Sequence, residues 1–285
     1  MTPPTTSAVV EAAPSHDFSV APPGMIATSH ALPVETSSAD ALRASGADLL
    51  RAIDVGAKRS LDVVAAVLLL LLCLPLFLVV AALIKLDSRG PLFYGCRRVG
   101  RDGRELSVLK FRKMRDGASG PALTLDEDER FTRIGPFLAA TKIDELPQLI
   151  NVLRGEMSLV GPRPEDAGFV DLQRESYDQI LRVKPGMTGL TQLAFANERE
   201  ILDREDALGH YVERLLPQKV RIDTLYATRR SIAMDLRILL WTAVAVILRR
   251  EVAVHRESAR ITLRRRAEGP TVALPAVGGT DRRRA

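Results

Sequence analysis

One apolar run dominates the chain. Val63 to Ile84 is 22 residues without a charge. At 1.5 Å per residue a helix there is about 33 Å long, enough to cross a bilayer. Pro75, in "LLCLPLF", sits just past its middle and predicts a kink, because proline removes one helical hydrogen bond. The two halves on either side are each too short to span alone. Arg51, Lys58 and Arg59 precede the run, and Lys85, Arg89, Arg97 and Arg98 follow it. With positive charge at both ends, the positive-inside rule gives no direction. Two arrangements stay open: a plain spanning helix, or a bent re-entrant one with both ends on one face. Asp62, at the start of the run, needs an interfacial place or a partner such as Lys58 or Arg59.

Beyond the run the pattern changes period. "PLFYGCRRVGRDGRELSVLKFRKM" (91–114) reads as a β-hairpin turning at Asp102-Gly103. Alternation puts Leu106, Val108, Lys110 and Arg112 on one face of the second strand, so two cations project together. Leu146, Leu149, Ile150 and Leu153 then repeat at helical spacing. Pro147 is tolerated only in a first turn, which sets the helix start near Asp144 and makes that residue the natural N-cap. Gly155 ends the helix. Residues 198–230 suit amphipathic helices. Leu236, Leu239, Leu240, Ala243 and Ile247 form an apolar stripe closed by Arg249 and Arg250, too short to span and suited to an interfacial or core helix.

The ends lack such periodicity. Residues 1–50, rich in Pro, Ser, Thr and Ala, read as a disordered leader without the features of a cleaved signal peptide. Residues 251–285 read as a basic, disordered tail. The net charge of +5 fits an anionic partner. Aromatics are only 5%, and no helix-turn-helix or zinc-finger spacing occurs, which argues against nucleic acid. Two cysteines without a CxxC spacing fit a reducing compartment.

Candidate chemistry centres on "KIDELPQL" (142–149), where Asp144 and Glu145 stand side by side. An Asp-Glu pair at a helix start is ordinary capping practice, so company has to decide. Within about 20 residues "GPRPE" (161–165) pins Arg163 between two prolines, a fixed guanidinium suited to bidentate phosphate recognition. Lys110 and Arg112 add cations for a diphosphate. The carboxylates suit Mg²⁺, which takes one or two of them together with substrate phosphates. Adjacent residues project in different directions, so one carboxylate can face phosphorus while the other holds a metal. Next to a membrane segment, this set suits phosphoryl chemistry between a soluble nucleotide and a lipid.

Taken together, "KRSLD", "IKLDSRGPLFY", "KFRKM", "TRIGPF", "DELPQLINVLRGEMSLVGPRPE" and "KPGMTGLTQL" resemble the bacterial sugar transferases, the monotopic polyprenyl-phosphate phosphoglycosyl transferases. The resemblance runs from about Lys58 to Leu248. It implies transfer of a sugar-1-phosphate from a UDP-sugar to polyprenyl phosphate at the inner membrane, with the catalytic domain on the cytoplasmic side and UMP released. It implies Asp144 as the nucleophile, passing through a phosphosugar aspartate, and Glu145 as the Mg²⁺ holder. It places Pro162-Arg163-Pro164 at the active site and makes the membrane helix re-entrant. The chain departs from the family where a Ser-Pro becomes Leu74-Pro75, where an Arg five residues before the Asp becomes Ala139, and where a Gln becomes Cys96.

The expected architecture is therefore α+β: mostly helical, with a small β-hairpin, a kinked re-entrant membrane helix and interfacial amphipathic helices. Its expected parts are a leader (1–50), a membrane segment (51–90), a cytoplasmic transferase domain (91–250) and a tail (251–285). Expected partners are UDP-sugar, polyprenyl phosphate and membrane lipid, with no nucleic acid; self-association is compatible. Expected site residues are Asp144 and Glu145 for catalysis, Lys110, Arg112 and Arg163 for substrate, Glu145 for the metal and Pro75 for the kink. The alternative is a membrane-anchored scaffold that keeps the fold without turnover.

Overall fold

The structure, a computed structural model, describes residues 38–118, 120, 128–196, 202 and 206–264, with 38–52 described as backbone only. Residues 1–37 of the expected leader and 265–285 of the expected tail lie outside that range. The chain divides into Met1–Ala47 and Asp48–Ala285. The described part of the first is the opening of a helix, and everything below concerns the second.

That helix, α1, runs from Ser38 to Asp87. The leader expectation is thus corrected for 38–50, where "SADALRASGADLLRA" supplies strong helix formers. Helix continues through Pro75. Ile53–Asp87 is long and apolar enough to cross a membrane, with mean hydropathy 3.3 in its richest window. Leu68, Leu71, Leu72 and Leu78 along it are exposed.

Two stretches of α1 dock on the rest of the chain, by different means. At the start the contacts are polar. Lys58 Nζ donates to Val160 O (3.2 Å) and Asp235 Oδ2 (2.5 Å). The Arg59 guanidinium donates to Val152 O and Leu153 O (2.6 and 2.9 Å). Asp62, buried, accepts from Ser158 Oγ (2.8 Å) and the Leu159 backbone N–H (3.1 Å). Its partners are therefore Ser158 and Leu159, not Lys58 or Arg59. At the far end the contacts are mainly apolar: Val80 and Ile84 pack with Phe111 and Leu138, and the Ile134 N–H donates to Asp87 Oδ2 (3.3 Å). Phe111 meets Phe77 edge-on at 5.0 Å and stacks on Phe93 at 5.4 Å.

The expected hairpin is present. β1 (Phe93–Val99) pairs antiparallel with β2 (Glu105–Phe111), in register Phe93↔Phe111 and Cys96↔Val108. Asp102 (φ 58°) and Gly103 (φ 73°) take the left-handed conformations that the turn requires. Leu106 and Val108 face the core. Next come α2 (Gly135–Thr141), a 3₁₀ turn (Ile143–Glu145), α3 (Gln148–Arg154) and β3 (Ser158–Val160). α4 (Ala167–Leu172) and α5 (Arg174–Ile180) lead to β4 (Gly186–Thr188), which pairs parallel with β3. α6 (Leu190–Ala194), α7 (Ala207–His210), a π-helical turn (Tyr211–Leu215), α8 (Leu216–Arg229) and α9 (Ile232–Ile247) complete the helices.

The chain is thus mostly helical α+β with small two-stranded sheets. The main core joins Ala66 of α1 to Val108, Val152, Leu190, Ile222 and Ile238, each almost fully buried. Burying a residue of this kind contributes about 1.5–3 kcal/mol. On α9 the sequence stripe divides: Leu236, Leu240 and Ile247 are exposed, while Leu239 packs on the core.

The tail expectation is corrected for 251–264. β5 (Val252–Val254) and β6 (Ile261–Leu263) form an antiparallel hairpin, with Val252, Ala259 and Ile261 buried in the main core. Arginine-rich composition had masked three apolar anchors.

Candidate active site

Three short segments converge around the acid pair. The first is the end of β2 and the residues after it. Lys110, paired across the hairpin with Tyr94, donates from Nζ to Glu145 Oε1 at 2.8 Å. Lys113 Nζ lies 2.9 Å from Asp144 Oδ2. The backbone of Lys113 is fixed from behind: its carbonyl accepts from Thr132 N–H (3.0 Å), and a Cβ added to Gly135 would collide with it. The "TRIGPF" motif therefore seats Lys113.

The second segment carries the acids. α2 ends at Lys142 in the left-handed region (φ 56°), which for a non-glycine costs on the order of 1 kcal/mol. The reversal starts the 3₁₀ turn that holds Asp144 and Glu145. Asp144 was expected as an N-cap. That is corrected: α3 begins at Gln148 with Pro147 before it, and neither the turn nor α3 has a side-chain cap. Gly155 ends α3 as expected, at φ 82°. Released from capping, Asp144 is 2% exposed, and its Oδ2 has no aligned hydrogen bond despite the nearby ammonium. A buried carboxylate oxygen in that state is energetically costly, and such residues cluster where chemistry occurs.

The third segment is "GPRP". Gly161 N–H donates to Thr188 O (2.9 Å) and Gly186 N–H to Pro162 O (2.8 Å), so "GPRP" and "KPGMTG" are bonded backbone to backbone. A Cβ on Gly186 would strike Gly161, and one on Gly189 would strike the Gly161 carbonyl. Only glycine permits that approach. It fixes Arg163, whose Nη2 lies 3.9 Å from Glu145 Oε1.

Burial of Glu145 favours the neutral acid, yet Lys110, Arg163 and Lys142 outweigh it and hold the carboxyl well below its usual range. The site is a pair of adjacent carboxylates amid four cations, a surface that receives further anionic groups.

Of the sequence-derived residues, Lys110, Asp144, Glu145 and Arg163 come together. Arg112 does not. β2 ends at Phe111, so strand alternation stops there. The buried Arg112 guanidinium donates instead to the carbonyls of Arg89 and Ser88 (2.8 Å to Ser88), just beyond the end of α1. Lys113, missed as an individual residue, takes its place. Its only sequence signal was its position in "KFRKM". Among the described residues no three His, Cys, Asp or Glu side chains form a ready-made metal cage. Two adjacent carboxylates, one with an unsatisfied buried oxygen, still fit Mg²⁺, which completes its shell with waters and substrate phosphates.

The domain is thus α+β, docked on a long apolar helix, and carries an acid pair ringed by cations. Residues 53–249 match the family described as bacterial sugar transferase, and the chain belongs to that family. It is 37% identical over 202 residues to the exopolysaccharide production protein ExoY of Sinorhizobium fredii, covering 65% of this chain and 83% of that one. It is 40% identical over 192 residues to the exopolysaccharide production protein PSS of Rhizobium leguminosarum bv. phaseoli, covering 63% and 90%. Against the undecaprenyl-phosphate glucose phosphotransferase of Komagataeibacter xylinus it is 38% identical over 235 residues, covering 79% of this chain but 42% of that longer protein.

Proposed function

We propose that the protein transfers a sugar-1-phosphate from a UDP-sugar to a polyprenyl phosphate on the cytoplasmic face of the inner membrane, starting a surface polysaccharide. The observation that carries this is the buried Asp144 carboxylate, ion-paired with Lys113 at 2.9 Å without an aligned hydrogen bond, beside an ionised Glu145 and amid four cations. Relatives named as UDP-glucose:undecaprenyl-phosphate glucose-1-phosphate transferases, such as that of Xanthomonas campestris pv. campestris (38% identical), point the same way.

An Asp144 oxygen attacks the phosphorus bearing the sugar. The new O–P bond forms as the O–P bond to UMP breaks, leaving a phosphosugar aspartate. An oxygen of the polyprenyl phosphate then attacks the same phosphorus and frees the carboxylate. At rest Lys113 neutralises Asp144. Its ammonium rides on a flexible stem, so an arriving diphosphate exchanges it for a phosphate oxygen and uncovers the nucleophile. Arg163 and Lys110 receive the remaining oxygens. Glu145 would hold Mg²⁺ with the diphosphate, and the ion when bound supplies charge neutralisation there.

The membrane geometry favours the re-entrant arrangement. Asp62 and Val80 dock on one and the same domain. The stretch between Ala66 and Val80, which itself touches the domain at Leu70 and Phe77, amounts to about 20 Å of helix, short of the roughly 30 Å hydrocarbon core. The outward Leu236, Leu240 and Ile247 on α9 suit an interfacial face.

A membrane fraction given a panel of UDP-sugars, Mg²⁺ and polyprenyl phosphate is expected to release UMP with one of them. Asp144→Ala should lower that release by at least about 10³-fold; equal release from the variant overturns the nucleophile. Cysteines placed near residues 50 and 95 should react with an impermeant reagent from the same side; labelling from opposite sides means a spanning helix.

A further inference from the structure

Arg112, turned away from the acid pair, is a buried guanidinium that the transfer itself does not use. It is 4% exposed. Its backbone N–H donates to Leu92 O (3.0 Å), one bond beyond the end of the β1–β2 ladder. Its side chain forks: Nη2 donates to Ser88 O (2.8 Å) and Nη1 to Arg89 O. Those carbonyls follow the last turn of α1, where a helix leaves acceptors without backbone partners and its dipole favours a cation. Gly90 completes the fit. Its φ is 124°, and a Cβ there would collide with Arg112 Nη1. Lys85 Nζ braces the same turn by donating to Gly90 O (2.8 Å). The Ile134 N–H, donating to Asp87 Oδ2 (3.3 Å), ties it to the domain a second time.

The place of Arg112 in the chain gives this lock its meaning. Lys110 and Lys113 flank it, and their ammoniums reach Glu145 and Asp144. The strand end that carries two of the site's cations is therefore the same strand end that grips the exit of the apolar helix.

We propose that Arg112 is a positioning residue that locks the exit of α1 to the strand end bearing Lys110 and Lys113, and so sets the level of the acid pair for the lipid-borne phosphate substrate. This rests on the transferase reading and on the membrane placement of α1 given above. The two substrates of that reaction sense the lock differently. A UDP-sugar arrives from water and reaches the site at any height. A polyprenyl phosphate is confined to the headgroup layer, so its attack depends on where the helix seats the domain, and small misplacements of reacting groups are costly. Arginine suits the task because one planar fork meets two carbonyls, whereas a lysine ammonium is a point charge that fixes no direction.

The test separates the two halves of the reaction. With a covalent intermediate, kcat/KM for the UDP-sugar reports the first attack and kcat/KM for polyprenyl phosphate the second. In Arg112→Lys, kcat/KM for polyprenyl phosphate should fall about tenfold, while that for the UDP-sugar stays within about twofold of wild type. Gly90→Ala, which crowds the guanidinium and leaves its charge, should give the same split. An equal loss for both substrates would mean that Arg112 only holds the fold together. A loss confined to the UDP-sugar would mean that it binds nucleotide. Either result, or no loss at all, overturns the proposal.

Spin labels give a readout independent of turnover. They are placed at Leu86 and at Leu172 on α4, both exposed, in protein whose two cysteines, Cys73 and Cys96, are replaced by alanine. The distance distribution should be narrow with Arg112 in place and broader in Arg112→Lys and Gly90→Ala. An unchanged distribution overturns the lock. If it broadens as expected but no UDP-sugar turns over in any form, the transferase reading fails and not the lock.

Discussion

Two pairs of carboxylates in the domain meet contrasting fates. Asp144 and Glu145 share Lys110, Lys113, Lys142 and Arg163, and Glu145 is held well below its ordinary range. Glu165 and Asp223 share the ammonium of Lys219, and Asp223 is pushed up to about 7. Burial opposes ionisation of both Glu145 and Asp223; the supply of positive charge decides which of the two carboxyls is lowered and which is raised. A cation-rich pair is prepared to meet phosphate and carry a nucleophile.

The comparison can be broken from either side. Lys219→Met should have the larger effect. It leaves Glu165 without its buried ion-pair partner, a loss of about 3–5 kcal/mol. Melting should drop by roughly 10 °C. An unchanged melt would mean that the ammonium does not compensate Glu165.

Lys110→Met should act less on stability and more on turnover, lowering UMP release by about 10²-fold. With its nearest cation gone, the Glu145 carboxyl rises towards its ordinary range. The loss of activity on acidification should then set in at higher pH than in the wild type. An acid limb that stays in place would show that Lys110 does not govern Glu145.

Much of the acid-pair side was legible in the sequence. The adjacency of Asp144 and Glu145, the prolines around Arg163 and the strand parity of Lys110 are local facts. Parity failed at Arg112 because the strand had already ended, and pairing stops where a ladder stops. Lys113 was hidden for the same reason: past the strand, its direction is set by Thr132 and Gly135, residues that sequence spacing does not bring beside it. Asp223 was illegible as a buried residue, since an Asp on an amphipathic helix ordinarily reads as solvent-facing. Its burial depends on α6, whose Thr191 hydroxyl donates to it. The apolar run announced itself, but where it rests on the domain needed Asp62 and Val80 to be seen against the same body.

α3 joins two jobs in seven residues. Its C-terminal carbonyls are gripped by Arg59 from the foot of the membrane helix, and the acid pair sits just ahead of its N-terminus. That span is about 10 Å. The helix thus acts as a gauge block, setting a fixed distance between the acid pair and the foot of α1.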